Sequence, residues 1–207
     1  MARIELWNGD ICDLEVDAIV SPANTSLWMS TGVAGELKRT GGDQIEFAAI
    51  RQGPVRIGEA IVTPAGKLAA KVVIHAVSLE RDRRTNAAAI EAAVRAAMAR
   101  VREFGLVSVA FPALGTGIGG FPLADAARIT VRTIRDELAT PSAIEHVVLA
   151  LRGAAAYQAF AAALASLGSA SVDEPDAASG WMGVGPGGHA GVRAGVPVDE
   201  RHAEGAS

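Results

Sequence analysis

Apolar residues along the chain fall into two alternating patterns. Arg3-Ile4-Glu5-Leu6-Trp7 alternates polar and apolar positions, which predicts a strand with one buried face. Asp17-Ala18-Ile19-Val20, Val107 to Phe111 and His146 to Leu151 are short, almost continuous apolar runs. Such runs mark strands covered on both faces. Glu59 to Thr63 and Lys71 to Val77 add two strands around a turn at Ala65-Gly66-Lys67. Between these runs the spacing becomes helical. From Thr85 to Phe104, residues Ile90, Val94, Ala97, Met98 and Val101 form one stripe, and Gly105 stops it. From Pro122 to Leu138 a second stripe runs through Leu123, Ala127, Val131, Ile134 and Leu138. Val33 to Arg39, Asp43 to Arg51 and Ala154 to Leu167 complete the helices. Strands alternating with helices predict an α/β fold: a three-layer α/β/α domain with a mixed, mostly parallel sheet.

The pattern ends near Gly168. Residues 169–207 are rich in Gly, Ala, Pro and acidic residues and carry no periodic apolar face, so a disordered tail is expected there, after one domain over residues 1–168. Trp181-Met182 is the apolar point of that tail, either incidental or a docking point.

Composition narrows the class. The chain has 207 residues, 50% hydrophobic, with a net charge of −4. General nucleic-acid binding is not expected from that balance. The one cysteine, Cys12, cannot close an internal disulfide and reads as a small buried side chain. No Cys/His spacing suits zinc, so no metal is expected. Neither a signal peptide nor a membrane span is evident, which points to a cytoplasmic protein.

Two glycine-bearing loops carry the chemistry. One runs from Ser21-Pro22-Ala23-Asn24 to Thr31-Gly32-Val33-Ala34-Gly35. The other is Leu114-Gly115-Thr116-Gly117-Ile118-Gly119-Gly120. Each follows a predicted strand and opens a helix, where free backbone N–H groups suit an anion. Two such loops suggest a diphosphate gripped from both sides, and hence a nucleotide. The second loop also fits the dinucleotide pattern G-x-G-x-x-G. That reading requires an acidic residue after the next strand, where Arg152 stands instead, and only one strand follows. Asp10, after the first strand, could accept from the exocyclic amine of adenine while the Ile11 N–H meets a ring nitrogen. It could equally cap a turn. Asn24 could hold sugar hydroxyls or form an Asx turn. His75, within an apolar strand, reads as structural, and Glu36 as a complement to a helix dipole.

Several separated motifs, in one order over roughly Ile4 to Leu167, resemble a macrodomain. They are Gly9-Asp10-Ile11, Val16 to Asn24, Thr31 to Gly35, Gly58-Glu59-Ala60 with Thr63, Lys71 to His75, and Ala110 to Gly120. The resemblance implies binding of ADP-ribose, free or on a macromolecule, nucleic acid included, with no cofactor and no membrane partner. It places Asp10 and Ile11 at adenine. Thr31, Gly32, Val33 and Ala34 would clasp the diphosphate with Leu114, Gly115, Thr116, Gly117, Ile118 and Gly119. Asn24 would reach the distal ribose.

The departures bear on mechanism. Hydrolytic MacroD-type members have G-G-G-V-D-G in the first loop, and Ala34 stands in place of that aspartate. Lys38 stands where histidine is usual, and Ser21 where the family's N-A-A-N begins. The pattern is similar to a bacterial subgroup of stand-alone macrodomains. The resemblance implies three functions. The first is hydrolysis of mono-ADP-ribosyl linkages with the ligand's phosphate orienting water, Asn24 and Thr31 being the catalytic candidates. The second is a non-catalytic reader, and the third is an O-acetyl-ADP-ribose deacetylase. Ala34 favours the reader. The lack of an effector domain favours an enzyme.

Overall fold

The strand-forming runs lie side by side in one sheet, and the amphipathic helices close over both faces. The computed structural model describes residues 2–82 and 84–166 and the backbone of residues 193–197. The chain begins with β1 (Arg3–Asn8), a 3-10 turn (Ile11–Asp13) and β2 (Ala18–Asn24). Next come α1 (Gly32–Gly41), α2 (Gln44–Ile50), β3 (Ala60–Pro64), β4 (Val72–Leu79) and α3 (Ala87–Glu103). β5 (Ser108–Phe111), α4 (Leu123–Leu138), β6 (His146–Leu151), α5 (Ala154–Ser166) and β7 (Arg193–Pro197) follow. The sheet order is β3-β4-β2-β5-β6-β1-β7. β4, β2, β5, β6 and β1 run parallel, while β3 and β7 are antiparallel to their neighbours. The sheet is mixed and mostly parallel, as the alternation of patterns predicts.

Period-two alternation sorts the side chains into two cores. Val109, Phe111, Val147 and Leu149 face α3, α4 and α5, where they meet Ile90, Met98, Ile134 and Phe160. Ala110 and Val148 face the other way, with Leu37 of α1 and Ile45 of α2. At the N-terminal end of the sheet, Asp17 ties three strands together. It accepts from the Val107 N–H at 2.9 Å and pairs with Lys71 at 2.7 Å, and its own N–H donates to Ser108 Oγ at 2.8 Å. Burial opposes ionisation there, but Lys71 and the Val107 N–H outweigh it and hold the carboxyl below the usual range.

Three expectations shift. β2 runs on through Pro22 to Asn24, so the first loop starts later than the sequence suggests. Proline is rare inside a sheet because it cannot donate to the ladder. Here β5 pairs with β2 only at Ala18 and Ile19, so Pro22 has no ladder to break on that side. α3 starts at Ala87, because Asn86 Oδ1 accepts the Ala89 N–H at 2.9 Å and caps the helix. Within the expected tail, the backbone of residues 193–197 pairs along β1, from Arg3↔Pro197 to Trp7↔Arg193. The boundary at residues 168–169 and Trp181-Met182 lie outside the described residues.

Candidate functional site

Because β1, β2, β4, β5 and β6 are parallel, their C-terminal ends lie on one edge of the sheet. Open α/β sheets bind ligands at that edge. Asp10 follows β1 there, Asn24 ends β2, the glycine loop follows β5, and Arg152 follows β6. The topology thus brings both loops, Asp10 and Asn24 to one side of the domain.

The first loop is shaped by its neighbours. The Leu27 N–H donates to the Asn24 carbonyl at 2.9 Å, and Leu27 takes a φ of 62°. Asn24 makes the Asx turn: its Oδ1 accepts the Ser26 N–H at 2.9 Å, and its Nδ2 donates to the Trp28 carbonyl at 3.2 Å. One amide hydrogen of Asn24 is left for another partner. Thr31 is extended, at φ −147°, and its side chain makes no capping bond to α1. Its exposed hydroxyl sits at the helix start, beside N–H groups that have no intrahelical acceptor. Gly32 has a φ of +61°, and a Cβ there would meet nothing within 4 Å. Glycine is needed at that position for its backbone angle alone. Ala34 is buried against the α1 and α2 core.

The second loop is built differently. Gly115 combines a φ of +78° with a site where a Cβ would lie 2.6 Å from Ile90. A Cβ on Gly119 would lie 2.7 Å from the Gly115 carbonyl and 2.8 Å from Leu79 and Thr85. Both glycines are fixed by close packing. Gly117 is open: a Cβ there meets nothing within 4 Å, and its φ is not positive. Thr116 Oγ1 donates to the Ala113 carbonyl at 3.0 Å, so its hydroxyl serves the loop. Leu114 is fully buried, which leaves only its backbone for a ligand, whereas Ile118 is half exposed.

At the β1 end, Asp10 does cap the 3-10 turn, its Oδ1 accepting the Cys12 N–H at 3.0 Å. Its other oxygen pairs with the Arg152 guanidinium. The Ile11 side chain is buried beneath, and its N–H lies at the first position of the turn. No local pattern in the sequence predicts the Asp10–Arg152 pair; its one trace is an arginine directly after an apolar run.

The other titratable groups have settled partners or are buried. His75 is fully buried, with Nε2 2.9 Å from Thr63 Oγ1, and burial pushes its pKa down to about 4. It is neutral at pH 7 and structural, as expected. Among the described residues, neither its Nδ1 nor the Oγ of Ser21, its register partner on β2, has a hydrogen-bond partner. Glu36 lies beyond the first turn of α1 and pairs with Arg39 at 2.5 Å, which differs from the expected dipole role. Lys38 pairs at 2.5 Å with buried Glu46, whose carboxylate holds the ammonium above its usual range. Cys12 is half-buried rather than fully buried, and desolvation pushes its thiol up to about 12. Such a thiol is inert at neutral pH. Among the described residues no group of three or more His, Cys, Asp or Glu stands ready for a metal, and no helix is long and apolar enough to cross a membrane. A cleft of about 540 Å³, lined by Ile57, Glu80, Thr85 and Asn86 among others, opens beside the second loop.

The fold and its two loops define a macrodomain. A family model for the Macro domain matches residues 20–130, and the chain belongs to that family. A Salmonella gallinarum protein named O-acetyl-ADP-ribose deacetylase is 40% identical over 141 residues, covering 65% of this chain and 79% of its own. An uncharacterized protein of Mycobacterium tuberculosis is 40% identical over 164 residues, covering 79% of this chain. The match spans only 45% of that mycobacterial relative's length. Among solved structures, the Trypanosoma brucei macrodomain in complex with ADP-ribose aligns with a TM-score of 0.73 at 26% identity, over 78% of this chain and 68% of that one. A variant Oceanobacillus iheyensis macrodomain with ADPR aligns with a TM-score of 0.72 at 26% identity, over 79% of this chain and 91% of that one.

Proposed function

We propose that this protein binds ADP-ribose across the C-terminal edge of its sheet and hydrolyses mono-ADP-ribosyl linkages at the distal ribose. The observation that carries the reading is the placement of two glycine loops, each opening a helix, on one edge between Asp10 and Asn24. Adenine sits at Asp10 and the Ile11 N–H, and the diphosphate lies between the Thr31–Ala34 and Leu114–Gly119 backbones. The distal ribose meets Asn24 and Thr31. Macrodomains solved with ADP-ribose support the ligand.

The chain's own residues constrain the chemistry. Ala34 offers no proton acceptor, Glu36 is paired with Arg39, and His75 is buried. A glycosidic bond breaks through an oxocarbenium-like state that positioned polar groups stabilise. Asn24 and Thr31 orient the ribose, and a phosphate oxygen of the ligand orients the water. Loss of a general base costs about 10²–10⁴-fold, so turnover is slow. The Salmonella relative's name favours a second reading, removal of acetyl from O-acetyl-ADP-ribose at the same edge of the sheet.

Calorimetry with ADP-ribose tests binding. Incubation with mono-ADP-ribosylated protein, mono-ADP-ribosylated DNA and O-acetyl-ADP-ribose, with chromatography of the products, separates glycosidic release from deacetylation. Binding without product from any of the three leaves a reader of the modification.

A further inference from the structure

Asp10 and Arg152 are 142 residues apart in sequence, yet their side chains pair at the ends of β1 and β6. The backbone holds them face to face. β1 and β6 pair in register up to Asn8↔Leu151. Beyond that, the Gly9 N–H donates to the Leu151 carbonyl at 3.0 Å, and the Gly153 N–H donates to Asn8 Oδ1 at 3.1 Å. Arg152 therefore projects from a pinned turn. An ion pair this exposed, with 70% of the arginine side chain open to solvent, adds little to fold stability.

Its effect on Asp10 is geometric. The Cys12 N–H holds Oδ1 and the Arg152 guanidinium holds Oδ2, so the carboxylate is fixed from both sides. A carboxylate has about four acceptor positions; the Cys12 N–H, the Cys12 thiol and the Arg152 guanidinium engage three, which leaves an acceptor next in sequence to the Ile11 N–H. That acceptor–donor pair matches adenine, whose exocyclic amine donates and whose N1 accepts. It opposes hypoxanthine, whose O6 accepts and whose N1–H donates.

We propose that Arg152 is the positioning residue for base selection: it locks Asp10 in the orientation that accepts an exocyclic amine and rejects an oxo group. The inference rests on the ADP-ribose reading above. It assigns Arg152 no contact with the diphosphate.

The test is calorimetry of wild type, Arg152→Ala, Arg152→Lys and Asp10→Ala with two probes, ADP-ribose and inosine-diphosphate-ribose. Melting curves confirm that each variant is folded. Wild type is expected to prefer ADP-ribose. Arg152→Ala should weaken ADP-ribose about fivefold to tenfold, the size of one ordinary hydrogen bond, and leave inosine-diphosphate-ribose nearly unchanged. The preference then falls toward that of Asp10→Ala, and Arg152→Lys recovers part of it. Equal losses for both probes would mean that Arg152 contacts phosphate, and would overturn the proposal. So would a larger loss for the inosine probe, or no change for either. A wild type that binds neither probe overturns the ADP-ribose reading itself, and this inference with it.

Discussion

Lys38 Nζ lies 2.5 Å from one carboxylate oxygen of Glu46, and the other oxygen accepts the Met29 N–H at 2.7 Å. One buried side chain of α2 thus fixes both a residue of α1 and the middle of the first loop. Met29 lies two residues before Thr31, so its contact anchors the chain just ahead of α1.

Replacing Glu46 with alanine should therefore loosen the loop as well as the fold. The Met29 N–H would lose its acceptor and Lys38 the closer of its two acidic partners, at a cost of about 1–3 kcal/mol. Urea unfolding reads that loss, and calorimetry should show weaker ADP-ribose binding. Normal affinity in a destabilised Glu46→Ala variant would separate the loop's support from its function.

The glycines of the second loop should divide into two kinds. Gly117→Val introduces a side chain into open space, so the variant should fold normally and lose ADP-ribose binding by tenfold or more. Gly115→Ala places a Cβ 2.6 Å from Ile90 at a positive φ, so its melting temperature should fall. A Gly117→Val protein that binds as well as wild type would remove this loop from the site.

Stability should carry a signature of His75. Its pKa is about 4 in the fold, against an ordinary value of 6.5, because burial disfavours the charged ring. The unfolded chain therefore binds the proton first as pH falls. Stability is untouched above about pH 6.5, declines between there and pH 4, and levels below. The full loss is about 3 kcal/mol at ~1.4 kcal/mol per pH unit. Urea unfolding of wild type and His75→Asn at pH 7 and pH 4.5 checks this, because the variant should lack that part of the decline.

Chemistry at the distal ribose should depend on Asn24 and Ala34. Asn24→Ala should lower the rate of ADP-ribose release more than affinity, since a group orienting the reacting ribose matters most in the transition state. Ala34→Asp puts a carboxyl in the first turn of α1 at a position packed in the α1–α2 core; once melting curves show that the variant folds, it should raise the rate. Single-turnover assays with excess enzyme compare the three proteins. An unchanged rate in Ala34→Asp would mean that water is positioned from elsewhere.

Much of this architecture was legible in the sequence because buried strands and amphipathic helices leave different periodicities. β5 and β6 read plainly, being covered on both faces. Pro22 misled, since only the short reach of β5 makes a proline tolerable in β2. Gly41 hid the length of α1. Glycine disfavours a helix, but a Cβ there would lie 2.4 Å from Ile45 and 2.9 Å from the Ala65 carbonyl, so close packing decides. β7 gave no signal because its pairing with β1 is long-range and its composition is that of a linker. In the site, the glycine loops were legible as local chemistry. The partners of Asp10 and of Glu46 were not, because no local pattern records which distant side chain a fold will set opposite.

Leu27 keeps a left-handed backbone at 1% exposure, a conformation that costs a non-glycine residue about 1 kcal/mol or more. It is held by the small cluster of Ala23, Ala49, Val55 and Val77 rather than by its own sequence. The shape of the turn between Asn24 and Thr31 is therefore stored at a distance, in the fit of buried residues from other elements. A methyl group gained or lost at Ala49 or Val55 would retune the Asn24–Thr31 turn with every residue of the turn itself unaltered. Homologues with identical loops would then differ in strength for reasons written entirely in their interiors.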